Sequence, residues 1–301
     1  MMFMKAKHDN KANKNGKEYL KSILQLVRFE HGILYGIGVI VGMMLSGGVS
    51  ILSALLGFFI AVFMECGAFA MNDYVDYEID KMNKRFDRPL VRGKIKRETA
   101  LYISMIGFTV GIVLSFILSQ FTSLYVFILI VLLVLFSVAY NFIFKKYPLI
   151  GNTYIAITMM IPFVFGGLIN DNVNEKIAII SSIVFFFGLG REIMKDIEDY
   201  SAEKKLKFNT LPILIGKKKA VYSVIVCYLV GIVFSIYPIF TFFSNTIIYY
   251  SVILLDLIFL YVCMRLLKSQ DLSNLRKMRK LTLVTIAAGL FVFLISSLSS
   301  S

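Results

Sequence analysis

Apolar residues in this chain gather into nine long runs, near positions 23–45, 51–75, 100–119, 123–142, 151–169, 177–194, 220–237, 246–267 and 280–298. A helix that crosses a bilayer needs roughly 20 consecutive apolar residues. The strands of a membrane barrel alternate apolar and polar positions. These runs do not alternate, so the pattern predicts helices. The expected fold is all-α, a polytopic membrane helical bundle of about nine transmembrane helices. The connections near 46–50, 120–122, 170–176 and 238–245 are short and nearly uncharged, whereas 76–99 and 195–219 are long and polar. Residues 1–21 read as a flexible basic tail and 22–301 as one domain, because the chain is too short to add a separate soluble unit to so many spans.

Composition agrees with this reading. The 301 residues are 58% hydrophobic and 17% charged, with a mean hydropathy of +0.76, whereas soluble domains are about 45–50% apolar and about 25% charged. The lipid bilayer is therefore the expected surroundings. A net charge of +13 can signal nucleic acid, but here the cations flank the apolar runs, as membrane topology requires, and no nucleic-acid partner is expected. Cys66, Cys227 and Cys263 all lie inside apolar runs without metal-ligand spacing and read as structural thiols. His8 and His31 are the only histidines, which argues against a histidine metal site or a serine triad. The Lys- and Asn-rich beginning lacks the apolar centre of a cleavable signal peptide.

Lys and Arg fix the expected orientation. If the N-terminus is cytoplasmic and nine spans alternate, every one of the 32 Lys and Arg except Lys176 falls on the cytoplasmic side. Both long polar connections then face the cytoplasm as well. A wrong number of spans would scramble this asymmetry.

Those two connections carry the candidate chemistry. Asn72, Asp76 and Asp80 are spaced i, i+4, i+8, and Asp73 lies beside the first of them. If the second helix continues through them, they share one face. Glu65 lies on that face, seven residues deeper, and is expected to point into a polar cavity because a bare acid in lipid is costly. In the second connection Asp196, Asp199 and Glu203 are spaced i, i+3, i+7 and share a face, while Glu198 points away. Two stripes of hard oxygen donors suit Mg²⁺, which binds through a few carboxylates and completes its shell with water and substrate phosphates. Cations come after each stripe: Lys84, Arg85, Arg88 and Arg92 after the first, and Lys204, Lys205 and Lys207 after the second, with Lys195 just before the second and Lys145 and Lys146 between the fourth and fifth spans on the same expected face. Such cations suit diphosphate oxygens. The plainer account treats these charges as topological signals, but acids contribute little to orientation, so two acidic stripes weigh against it. Asp256, midway along the eighth span, is expected to be paired inside the bundle. Tyr140 and Asn141 close the fourth span, where they suit either a polar cavity or helix packing. A cation or phosphate transporter would place its charges near the midplane on broken helices. A non-catalytic scaffold would not need two acidic stripes.

On these residues the chain resembles the UbiA superfamily of membrane prenyltransferases. The family's first motif, NDxxDxxxD, is met by Asn72, Asp73, Asp76 and Asp80, and Arg88-Pro89-Leu90 and Gly93 match the segment after it. The second motif, DxxxD, is met by Asp199 and Glu203, with glutamate where aspartate is usual. Thr210-Leu211-Pro212 to Gly216 matches the pattern beyond that motif. The resemblance implies an Mg²⁺-dependent transfer of a prenyl group from its diphosphate. It also implies that Asn72, Asp73, Asp76, Asp80, Asp196, Asp199 and Glu203 form the catalytic set, and all but Asp73 serve as metal ligands. Lys84, Arg85, Arg88, Lys145, Lys146 and Lys195 are then expected on the diphosphate. The run from Arg191 to Asp199, and Lys145-Lys146 before Gly151-Asn152, are similar to the archaeal ether-lipid branch, which adds a geranylgeranyl chain to geranylgeranylglyceryl phosphate. Arg28-Phe29-Glu30-His31 would also suit a quinone-pathway relative with an aromatic acceptor. Oligomeric state is not legible here.

Overall fold

The structure is a computed structural model and describes residues 16–205, 208–241 and 245–299. The described residues form helices α1 (Gly16–Leu26), α2 (Phe29–Leu45), α3 (Ile51–Met82), α4 (Arg97–Ser119), α5 (Leu124–Phe142) and α6 (Ile150–Ile169). Next come α7 (Glu175–Lys205), α8 (Leu211–Ile215), α9 (Lys217–Thr241), α10 (Thr246–Lys268) and α11 (Leu272–Ser299). A single 3₁₀ turn, Phe144–Lys146, separates α5 from α6. Eight helices are each long and apolar enough to cross a membrane, and α1 with α2 makes a ninth span if that bent pair is counted as one.

The first apolar run is thus broken rather than continuous. α1 and α2 meet at a 50° bend. Arg28 sits at the bend in the left-handed conformation, φ 46°, which is costly for any residue with a Cβ. Its guanidinium lies over the Phe69 ring, 4.0 Å from the centroid, and 3.3 Å from Asp73 Oδ1. That ion pair holds the bend.

Residues 16–21, expected in the flexible tail, are instead helical, and residues 1–15 lie outside the described part. The helix forms because it has something to pack on. Leu26 joins Leu90, Ile95 and Ala100 in a small core. Glu18 pairs with Lys94 at 3.0 Å, and Gln25 donates to the Asp87 carbonyl.

The helices α3 and α7 outrun their apolar segments. α3 continues to Met82 and α7 to Lys205, so both acidic stripes ride on helix. Toward their C-terminal ends α2 and α6 cross. A Cβ on Gly42 would overlap the Phe163 backbone, and one on Gly166 would overlap the Val39 backbone. Glycine at both positions lets the two backbones touch, as small residues do at membrane helix crossings. One apolar core gathers α2, α6, α7, α9, α10 and α11, and a second gathers α2 to α6. Large apolar side chains such as Ile51, Ile106 and Leu254 remain on the outside, where a bilayer would cover them.

Candidate functional site at the mouth of the bundle

The first stripe is assembled from α3 and from the end of α5 with the 3₁₀ turn beyond it. The Asn72 amide lies 3.1 Å from Asn141 Oδ1 and beside Asp76 and Lys145. The Lys145 ammonium, from the 3₁₀ turn, is seated against Asp76. Asp80 is buried and lies 3.7 Å from Arg88 and 4.0 Å from Arg85. Asp73 is the exception in this motif. Only 2% of its side chain is exposed, and Arg28 and Arg88, the latter at 2.7 Å, grip one of its oxygens. It braces the bend and the loop at 83–96.

The second stripe is assembled from α7. Asn152, in the first turn of α6, donates to Asp196 at 2.8 Å. Thr210, before α8, donates to Glu203 at 2.8 Å. Glu198 faces away, as its spacing predicts, and pairs with Arg276 at 3.1 Å and Arg279 at 2.8 Å on α11. Lys195 donates to Glu192 at 3.1 Å, as does Arg191. Lys84 is exposed at a left-handed turn just beyond α3, with φ 52°. The side chain of Lys146, and the whole of Lys207, lie outside the described part.

Charges tie the two stripes together. Arg85 interacts with Asp80 on α3 and with Asp199 on α7. Burial pushes its guanidinium down, but the Asp87, Asp80 and Asp199 carboxylates outweigh that, and the net shift is upward. Asp76 on α3 and Glu192 and Asp196 on α7 all act electrostatically on the Tyr140 hydroxyl. The stripes therefore face one another across the end of α5. At the far end of the second stripe, burial, helped by the Asp196 charge, pushes the Glu203 carboxyl up to about 8. Among the described residues, no three Asp, Glu, His or Cys side chains converge closely enough to hold a metal ion between them. In this arrangement the Lys145 ammonium meets Asp76, the Asn152 amide Asp196 and the Thr210 hydroxyl Glu203.

Two cavities lie deeper among the helices. One runs among α2, α6, α7, α9, α10 and α11, and its walls are apolar apart from a few groups such as His31, Tyr35 and Asp256. Asp256 accepts a hydrogen bond from Ser235 on α9 at 2.7 Å, which supplies the partner expected for it. The other cavity is mostly apolar, with Glu65, Tyr35, Ser137, Tyr154 and Thr158 as its polar lining. Glu65 thus faces inward, as its position on the α3 stripe predicts. Tyr140 and Asn141 are both buried, with the Tyr140 ring stacked on Tyr154 at 4.6 Å.

Sequence reasoning missed Arg28, Asn152, Thr210 and Ser235 as partners. Asn152 alone left a signal, a polar residue in the first turn of an apolar span beside Gly151.

A helical membrane bundle with facing carboxylate stripes over an apolar cleft defines a membrane-embedded enzyme whose substrates join a charged head to a hydrocarbon tail. The chain belongs to the UbiA prenyltransferase family, whose model matches residues 35–295. It is 40% identical over 283 residues to the digeranylgeranylglyceryl phosphate synthase of Archaeoglobus fulgidus, covering 92% of this chain and 95% of that one. A solved structure of a digeranylgeranylglyceryl phosphate synthase superposes with a TM-score of 0.74 at 33% identity, covering 94% of this chain and 99% of that one. A UbiA homolog of Archaeoglobus fulgidus, solved with GPP and Mg²⁺, shares the fold with a TM-score of 0.65 at 19% identity, covering 90% of this chain and 99% of that one.

Proposed function

We propose that this protein transfers a geranylgeranyl group from its diphosphate to the free hydroxyl of geranylgeranylglyceryl phosphate, with Mg²⁺ as cofactor. The observation that carries the reading is the facing of the α3 and α7 carboxylate stripes beside a long apolar cleft. The relatives' shared name supports the choice of donor and acceptor.

The donor set fits the ion. Asn72, Asp76, Asp80, Asp196, Asp199 and Glu203 offer hard oxygens, and the Lys145 ammonium already stands as a cation against Asp76. When bound by these residues, Mg²⁺ would neutralise the departing diphosphate. Arg85, Arg88 and Lys145 are close enough to turn from carboxylate to phosphate oxygens, and the exposed Lys84 adds to the positive charge just beyond α3. The apolar cleft holds the prenyl tail and keeps water from the allylic cation. The bond from C1 to the diphosphate oxygen breaks, the acceptor oxygen bonds to C1, and the acceptor's proton is released. The same reading puts the N-terminus, the stripes and their loops in the cytoplasm, supported by the placement of all cations but Lys176 on that side.

The test is radiolabelled prenyl transfer by membranes containing the protein, with and without Mg²⁺. Geranylgeranylglyceryl phosphate and 4-hydroxybenzoate serve as rival acceptors. Product with the first alone, and only with Mg²⁺, is expected; product with the aromatic acid alone would overturn the acceptor. Asp76→Asn and Asp199→Asn should each lower the rate by roughly 100-fold or more. Full activity in both would remove the metal assignment.

A further inference from the structure

Among the described residues, α1 is packed on one side only. Leu26 is fully buried with Leu90, Ile95 and Ala100. Glu18 pairs with Lys94 at 3.0 Å, Gln25 donates to the Asp87 carbonyl at 3.2 Å, and Arg92 donates to Gln25. These partners all belong to the 83–96 loop or to the first turns of α4. On the opposite side Lys17, Leu20, Lys21 and Leu24 are exposed. Their i, i+3, i+4, i+7 spacing puts them on a single face. Leu20 is 57% exposed and Leu24 41%.

What covers that face follows from continuity, position and charge. Apolar exposure passes from Leu20 and Leu24 to Phe29 and Ile33 in the first two turns of α2. That helix belongs to the ninth candidate span, so lipid already reaches the end of α1. The 50° bend turns α1 from the axis of the span toward the plane of the membrane. The helix, about 16 Å long, therefore runs obliquely along the membrane face. Lys17 and Lys21 share the face with the two leucines. Their long stems let the ammonium groups rise from an apolar layer to the phosphates above it. Lys5, Lys7, Lys11 and Lys14 precede α1 in the sequence and add to the same charge.

We propose that α1 is an interfacial helix seated in the headgroup layer of the membrane that holds the bundle. Leu20 and Leu24 enter the acyl boundary, and Lys17 and Lys21 meet the phosphates of anionic lipids. The buried side of the same helix grips the loop that brings Arg85 and Arg88 to Asp80. Lipid is therefore met on one side of α1 and the donor side of the site on the other.

The experiment uses the full chain, with its native cysteines replaced, in nanodiscs of phosphatidylcholine with or without phosphatidylglycerol. A polarity-sensitive NBD fluorophore is attached in turn to Leu20→Cys, to Leu24→Cys and to Lys204→Cys, the last at the exposed end of α7 beyond the lipid. Both leucines are exposed, so replacing either leaves the core intact. Emission from positions 20 and 24 should be shifted to the blue of that from position 204. Lipid nitroxides near the headgroup should quench it about twofold more than nitroxides at mid-chain. Lys17→Gln together with Lys21→Gln should remove the gain in quenching that phosphatidylglycerol gives. Water-like emission at both leucine positions, equal to that at 204, overturns the proposal. A blue shift without lipid quenching also overturns it, because protein would then cover the face. Unchanged quenching in the double lysine variant overturns the assignment of the two lysines. The readout needs no prenyl transfer, so its failure and failure of the proposed reaction are distinguishable.

Discussion

At the residue scale, Asp73 and Asp76 belong to one motif but have different work. Asp73 is closed off beneath Arg28 and Arg88, whereas Asp76 meets the Lys145 ammonium at the open end of the bundle. Removing one member of a buried ion pair costs about 3–5 kcal/mol. Asp73→Asn should therefore lower Tm clearly, while Asp76→Asn should change Tm little; equal losses would show that Asp73 is not a brace. Glu203 carries a pH signature. Its carboxyl sits at about 8 in the folded protein against an ordinary 4.5. Folding thus holds that proton more tightly than the unfolded chain does, and stability falls as pH rises between those values. In metal-free protein, Glu203→Gln should match the unsubstituted Tm below the lower value, gain on it up to about 8, and hold a constant lead above. A lead of the same size at pH 5 and pH 9 would show that burial does not act on the ionised form. The i, i+4 spacing made the stripes legible, since helical rotation alone aligns them. The separate duty of Asp73 was not legible, because its partners come from positions 28 and 88, and nothing local to the motif announces them.

At the level of elements, hydropathy located the spans but not the helices. It reports where lipid is tolerated, and the ends of α3 and α7 are polar helix beyond the lipid. It also missed the break at Arg28, because an ion pair to another helix, and not a glycine or proline, sets that bend. α1 was likewise read as tail, since its support comes from Leu90, Ile95 and Ala100, far along the chain. The α2–α6 crossing is a further contact between distant segments, and it makes a sharp prediction. A methyl group at Gly166 would overlap the α2 backbone, so Gly166→Ala should cost about 3 kcal/mol and lower Tm. At Gly289 on α11 the nearest atom to an added Cβ is a Leu255 methyl at 3.7 Å, which is ordinary contact. Gly289→Ala should leave Tm unchanged or raise it. Equal effects at the two positions would mean that the helices are free to part.

On the scale of the whole molecule, charge and chemistry converge on one membrane face. The two stripes, the Lys145 turn and the 83–96 loop are gathered at one end of the bundle, and the short connections with Asp171 and Lys176 at the other. The bias of Lys and Arg toward the first end sets the orientation at insertion, when the spans are placed one after another. That end also has to meet a soluble anionic donor, and the surplus of cations around the acids makes the approach favourable. Both arguments are testable in one experiment. Cys227 and Cys263 are buried and Cys66 is half-buried, so the native thiols form a quiet background once replaced. Lys94→Cys and Asp171→Cys then report opposite faces from exposed positions. A membrane-impermeant maleimide should label Asp171→Cys in right-side-out vesicles and Lys94→Cys only in inverted ones. The inverted vesicles should also be the ones that consume added prenyl diphosphate without detergent. Labelling in the opposite sense would reverse the orientation, and donor use confined to right-side-out vesicles would place the chemistry outside the cytoplasm.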